Sequence, residues 1–378
     1  MMLDAIFAIT FYALIGVFLY LNRHKVQREL KVIFLVRTRR AVGFIKKWGE
    51  KLEIFWKIFG TIGVLLCVAG MLFITFLFID NSFKMLSTPS EASKTYLVIP
   101  GVQMPGSPIF VPFIAGIISI IILAVIHEFS HGFVAAAERI RLKSVGWGLF
   151  LIFPLAFVEP DEEDMKNASR MARLRVFSAG SASNITVSVI FALILYQVIT
   201  PAILPLVDFD GIQILTVTPE SGADTAGLQP NHVITSINGQ EALNMTRAVE
   251  ILSGVAPAQT INVTANSTEY SLTMTADPDN TSRAIMGVTF TQHWSFKEQG
   301  LKTEALSFLQ TLFFWLANLN LIVGIMNLLP IFIFDGGKIL AETLGYKLGE
   351  KQVMKIVSGV SNLVMILLIF NLVGSYLT

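Results

Sequence analysis

Apolar residues follow two rhythms along this chain. In the first rhythm they form long runs with few interruptions, at 4–22, 58–79, 109–136, 176–203, 304–328 and 356–377. A helix needs roughly 20 such residues to cross a hydrocarbon core of ~30 Å, so these runs predict about six transmembrane helices. Residues 146–158, GWGLFLIFPLAFV, are free of charge but too few to span. Their glycines and proline predict a re-entrant hairpin, which needs protein or a cavity to cover its backbone. From residue 206 the second rhythm takes over. Thr, Asn, Ser and Gly become frequent, and short alternating runs are broken by turn dipeptides such as Asn238-Gly239. This pattern predicts an α/β domain inserted between two membrane parts. The expected divisions are an N-terminal membrane region, 1–108, a first catalytic part, 109–205, the inserted domain, 206–298, and a second catalytic part, 299–378.

Composition agrees with the first rhythm. The chain is 53% hydrophobic and 15% charged, with a mean hydropathy of +0.65. Soluble domains carry about 25% charged residues, so the chain reads as a multi-pass protein partnered by the lipid bilayer. A net charge of +1 gives no general basic signal for nucleic acid. Cys67 is the single cysteine, which excludes an intrachain disulfide and a thiolate zinc cluster.

Charge also orients the spans. Residues 22–57 hold eleven Lys or Arg and three Glu, the signature of a cytoplasmic loop. The first apolar run has no positive charge ahead of it, so it is expected to anchor the chain with its amino end outside rather than serve as a cleaved leader. Counting onward puts 137–175 and 329–355 in the cytoplasm and 204–303 outside. Arg139, Arg141, Lys143, Lys166, Arg170, Arg173 and Arg175 fall in the first of these, while 204–295 holds only Arg247 and Arg283. Asn-x-Ser/Thr sequons at Asn244, Asn262, Asn266 and Asn280 fit an outside location. Basic and aromatic residues interleave over 32–57, which predicts a segment lying along the inner leaflet.

The chemistry sits where apolar runs end. A charge-free stretch from Thr95 to Ile126 gives way to HEFSH, with His127, Glu128 and His131 together. Residues i and i+4 share a helix face, so the histidines can grip one ion while Glu128 reaches an activated water. Ionisable groups at membrane depth are expensive and default to function. A third ligand is needed, and the charge-free run from Ala305 to Phe334 ends in Asp335, within NLLPIFIFDGG. By the loop charges, the helices leading to His127 and Asp335 both run inward, so the two residues are expected at matching depth near the cytoplasmic face. A transporter, or another metal- or proton-handling protein with an intramembrane His/Asp site, is the other class these residues allow.

HEFSH followed by NLLPIFIFDGG resembles the site-2 protease family of intramembrane metalloproteases. The resemblance covers about residues 109–345. It implies one zinc per chain, held by His127, His131 and Asp335, with Glu128 as general base and Asn327 at the substrate carbonyl or oxyanion. AGSASN, residues 179–184, resembles the family's A-G-P-x-x-N, with Ser181 in place of proline, and implies a substrate-binding role for Asn184. GWGLFL resembles the family's glycine-containing hairpin and implies the same for Gly146 and Gly148. The implied substrates are transmembrane proteins. Within the insert, SGADTAGL and HVITSING resemble the core of a PDZ domain, with His232 where Asp is usual, over roughly 208–292. Gly211-Ile212 resembles an incomplete carboxylate-binding loop, from which a size filter is expected rather than peptide capture.

Overall fold

The structure is a computed structural model. It describes residues 2–21, 27–29, 33–88, 92–104, 107, 109–150, 153–277 and 280–377. His24 and residues 151–152 of the expected hairpin lie outside that set. The chain divides into two units, one made of Met1–Val198 and Phe308–Thr378, the other of Ile199–Ser307.

The first unit is mainly helical. Its helices are α1 (Met2–Leu21), α2 (Val42–Lys51), α3 (Glu53–Ser87), α4 (Phe113–Ala137), α5 (Glu162–Asn167) and α6 (Arg170–Ile194). Among the described residues, five helices are long and apolar enough to cross a membrane: Glu53–Ser87, Phe113–Ala137, Arg170–Leu206, Leu301–Met326 and Glu350–Tyr376. In α1 the apolar stretch is shorter, Ile6–Phe18.

Local chemistry sets the helix starts. Ser169 accepts the Ala172 N–H and Asp161 accepts those of Glu163 and Asp164, both ordinary N-caps. The start of α4 borrows its cap from α1: Asp4 Oδ1 accepts the Phe113 N–H at 3.0 Å. Small residues then let the helices approach. A Cβ on Gly60 would lie 2.9 Å from the Arg175 Cβ, and one on Gly63 would lie 3.0 Å from the Ala182 Cβ, the kind of contact that substitutes for the hydrophobic effect in lipid.

The unit also holds a four-stranded antiparallel sheet in the order β1-β2-β3-β4, formed by Gln27–Glu29, Ile33–Thr38, Leu142–Phe150 and Phe153–Pro160. The expected hairpin is therefore a pair of strands, β3 and β4. The segment expected along the inner leaflet combines a strand and a helix. Part of it is β2, because Ile33–Thr38 pairs with β3 from Phe150 to Val145. The rest begins with α2, which buries Ile45 and Gly49; a Cβ on Gly49 would lie 2.6 Å from the Ala136 Cβ of α4. Gly146 and Gly148 sit on β3, paired on both sides: Arg37 and Leu35 on one, Phe157 and Leu155 on the other. A side chain at either position would strike neighbouring backbone or the Phe157 ring. The outer edge of the sheet belongs to β4. At its foot, the Arg141 guanidinium hydrogen-bonds Asp164 and holds that carboxyl down at about 2.

The second unit starts with a short helix, α7 (Thr200–Ile203), and follows the alternation that predicted it. Strands β5 (Val207–Val217), β6 (Val233–Ile237), β7 (Gln240–Glu241), β8 (Thr260–Ala265) and β9 (Thr268–Thr273), the small pair β10 (Thr275–Ala276) and β11 (Ala284–Ile285), and β12 (Val288–Phe296) accompany helices α8 (Gly222–Thr225) and α9 (Met245–Ser253). The main sheet runs β12-β5-β6-β8-β9, with β7 pairing β6. Along β8, Ile261, Val263 and Ala265 are buried and alternate with outward positions. They join Ile212, Ile214, Ile234, Ile237 and Leu272 in one apolar core. Asn238 and Gly239 take φ of +50° and +72°, as a two-residue hairpin turn requires. Gly211 and Ile212 lie on an interior strand, bonded to β12 and β6, so they form no open loop. The open groove, about 690 Å³, instead lies where Val249 and Leu252 of α9 face Val288 and Phe290 of β12.

Helix α10 (Leu301–Met326) begins in the second unit, the first unit resumes within it at Phe308, and α11 (Asp335–Leu344) and α12 (Glu350–Leu377) follow. The two guanidinium nitrogens Nε and Nη2 of Arg173 on α6 grip both oxygens of Glu342 on α11 at 2.8 and 2.9 Å. This paired grip fixes direction as well as distance.

Candidate active site

Helical spacing puts His127 and His131 one turn apart on α4, and their Nε2 atoms are 3.2 Å apart. Asp335, the first residue of α11, brings Oδ2 to 3.1 Å from His127 Nε2 and 3.2 Å from His131 Nε2. The turn after α10 aims it there. The Asn327 carbonyl accepts the Gly336 N–H at 2.8 Å, and side chains on Gly336 or Gly337 would strike the carbonyls of Leu328 and Ile331. Both glycines are thus needed for the chain to fold back closely enough to seat the aspartate.

The three ligand atoms form a nearly equilateral triangle. Its sides are close to the roughly 3.3 Å edge of a tetrahedron with bonds of about 2.0–2.1 Å, the zinc geometry for nitrogen and oxygen ligands. Asp335 Oδ2 is buried and makes no hydrogen bond among the described residues, an anionic acceptor left for a cation. Gly180 of α6 leaves the space beside the triangle open: a Cβ there would lie 2.6 Å from His127 Nε2 and closer still to His131 Nε2. The residues fit a zinc ion.

The outer atoms of all three ligands are also engaged. His131 Nδ1 donates to the Val176 carbonyl at 2.6 Å, which leaves the Nε2 lone pair for a metal. His127 Nδ1 is 3.3 Å from the Asn184 amide nitrogen. Asp335 Oδ1 accepts from Lys338 Nζ at 3.3 Å, so the ammonium holds the oxygen that points away from the histidines.

Glu128 faces the same cavity, about 370 Å³, whose wall also includes Asn327, Lys338, Pro154 and Ala156. Its Oε2 accepts the Val158 N–H of β4 at 3.0 Å. This bond ties the carboxylate to the sheet and fixes which way β4 faces. Of the residues expected from sequence, His127, Glu128, His131, Asn327 and Asp335 come together here. Asn184 is fully buried behind His127 and does not line the cavity. Gly146 and Gly148 lie one strand away, on β3, and do not line it either. Sequence reasoning missed Gly180, Lys338 and the Val158 N–H. Lys338 carried a signal, as the first cation after a long charge-free run, one turn from Asp335. Gly180 stood inside the quoted AGSASN. A backbone N–H leaves no trace in side-chain patterns.

Comparison with known proteins agrees with this geometry. The chain is 29% identical over 306 residues, 80% of its own length and 75% of the other's, to an uncharacterized protein of Methanocaldococcus jannaschii. Residues 115–370 match peptidase family M50, a stretch that contains every ligand of the triangle and the glutamate beside it. Because that match covers more than half of the chain, this protein belongs to peptidase family M50, the site-2 protease family.

Proposed function

We propose that this metallopeptidase is an intramembrane zinc endopeptidase that hydrolyses a peptide bond within the transmembrane segments of membrane-protein substrates. The observation that carries the reading is the convergence of His127, His131 and Asp335 on one point, with Glu128 in the same cavity. Zinc, one ion per chain on those three ligands, supplies positive charge that polarises a carbonyl and acidifies water. Glu128 accepts the proton from the attacking water and hands it to the leaving amine. The Asn327 amide donates to the oxyanion as it forms, an interaction worth ~3 kcal/mol where such donors have been removed.

A substrate helix hides its carbonyls in its own hydrogen bonds and must unwind before attack. Strand alternation then gives β4 a role. The Val158 N–H points to Glu128, so Ala156 and Pro154 present their polar backbone atoms on the same side. Pro154 has no N–H, which leaves Ala156 as the donor beside the cavity. We assign β4 as the edge along which the unwound segment lies, extended, in front of Glu128. The glycines of β3 support this edge from behind.

Loop charge supports an active site near the cytoplasmic side and an insert outside. We read the insert as PDZ-like. Because Gly211 and Ile212 are held inside its sheet, their glycine pattern no longer argues for exclusion, and the groove between α9 and β12 supports capture of an extended segment.

The central test is co-expression with candidate single-span proteins. Substrate should be cut by wild type and accumulate intact with Glu128→Gln. Equal cleavage by both proteins would remove this mechanism.

A further inference from the structure

One face of α6 meets the ligand set at three successive turns. Val176, Gly180 and Asn184 are four residues apart and so stack along one side of the helix. The Val176 carbonyl holds His131 by Nδ1. Gly180 leaves room beside both rings. Asn184 is 0% exposed, with its amide against His127 Nδ1 at 3.3 Å. His127 turns Nε2 toward Asp335 and His131. For that nitrogen to offer its lone pair to a cation, the ring proton must be on Nδ1. Nδ1–H is then a buried donor and needs an acceptor. The amide nitrogen of Asn184 cannot serve, whereas Asn184 Oδ1 can, and it has no hydrogen-bond partner among the described residues. The amide can turn end for end in the same space, exchanging oxygen and nitrogen.

We infer that Asn184 is a positioning residue for His127. Its side-chain oxygen accepts the Nδ1–H, locks the ring plane and fixes the tautomer whose Nε2 faces the metal site. The inference rests on the zinc reading above. It differs from a substrate-binding role because Asn184 acts from behind the ring, outside the cavity. Val176 and Asn184 thus do the same task for the two histidines, one with a backbone carbonyl and the other with a side-chain one.

The test uses the full chain in detergent, stripped of metal and titrated with zinc against a chromophoric competitor. Asn184→Leu, similar in size but without an acceptor, should bind zinc about 10–100-fold more weakly, while Asn184→Asp, which keeps an oxygen in place, should stay within about threefold of wild type. A Leu variant as tight as wild type, or an Asp variant as weak as Leu, would overturn the assignment. A second measurement needs no variant. In the cobalt-loaded wild type, both histidines should show a slowly exchanging, paramagnetically shifted Nδ1–H signal in proton NMR; a signal from His131 alone overturns it as well. Failure of the wild type to bind zinc or cobalt is a distinct result, which removes the metal site itself and this inference with it.

Discussion

Both units bury apolar side chains, but they differ in what they bury besides and in what they expose. In the inserted unit the buried side chains are almost all apolar, among them Ile212, Ile214, Ile234, Ile237, Ile261 and Leu272, in strands where they alternate with outward positions. In the membrane unit, large apolar residues such as Leu65, Phe76, Val189 and Ile366 face outward, while Ser119, Ser178, Ser181, Asn184, Asn320 and Asn371 are buried. Water drives the first arrangement. Lipid supplies no such drive, so close packing and interhelical hydrogen bonds hold the second together. Buried polarity is therefore unremarkable in the membrane unit, and the candidate active site is distinguished by having charge there. Glu128, Asp335 and the two histidines are groups that helix packing alone does not explain.

The largest expected effect separates chemistry from structure. Glu128→Gln should lower cleavage of a transmembrane substrate by about 10²–10⁴-fold, the usual contribution of a general base, with zinc content and unfolding unchanged. Asp335→Ala, His127→Ala and His131→Ala should instead lose most of the zinc, measured by elemental analysis of purified protein. If Asp335→Ala kept its metal and its activity, the contrast between catalytic and structural polarity would fail at its central residue.

In the inserted unit stability is what should suffer. Ile214→Ala removes a fully buried side chain from the apolar core and should cost about 2–5 kcal/mol. Hydrogen exchange should rise over 207–296. Protection unchanged there would mean that this core is not what holds the sheet.

A smaller effect tests the strand edge. Ala156→Pro removes one outward N–H from β4 and leaves the inner pairing to β3 in place. One hydrogen bond of about 0.5–1.5 kcal/mol predicts a loss of roughly 2–12-fold in cleavage, with zinc retained. Undiminished cleavage would move the substrate away from β4.

Much of the site was legible because membrane depth makes charge rare. HEFSH and Asp335 stand out only against long apolar runs, and topology alone brought them to one depth. The insert was legible because strands in water alternate. What stayed hidden depends on pairing across distant segments. Ile33–Thr38 alternates too weakly to show itself as a strand until β3 is beside it. The glycines of 146–148 marked a close backbone approach, but not from which side. Both sides were the answer, which puts β3 inside the sheet and leaves the edge to β4. Asn184 was legible as a residue of interest but not in its placement, since the same AGSASN pattern suits a side chain facing the substrate or one facing the back of a histidine.

The smallest effect measures the polarity that is structural. Asn371 of α12 is fully buried; its amide nitrogen reaches Ser82 Oγ at 2.7 Å and the Phe78 carbonyl at 3.3 Å, and its oxygen accepts from Asn81 at 2.6 Å. The three partners are on α3, so this cluster ties two spans together. In water such a network in a core would be a high-stakes feature. In lipid the separated helices also find partners for their polar groups, which returns most of the loss. A double-mutant cycle of Asn371→Leu and Ser82→Ala, read by unfolding in mixed detergent, should give a coupling of about 0.6 kcal/mol and no more than about 1.7 kcal/mol. A coupling well above that range would show the membrane unit leaning on buried polar groups as heavily as the insert leans on its isoleucines. The contrast between the units would then lie in the kind of contact each uses and no longer in its strength.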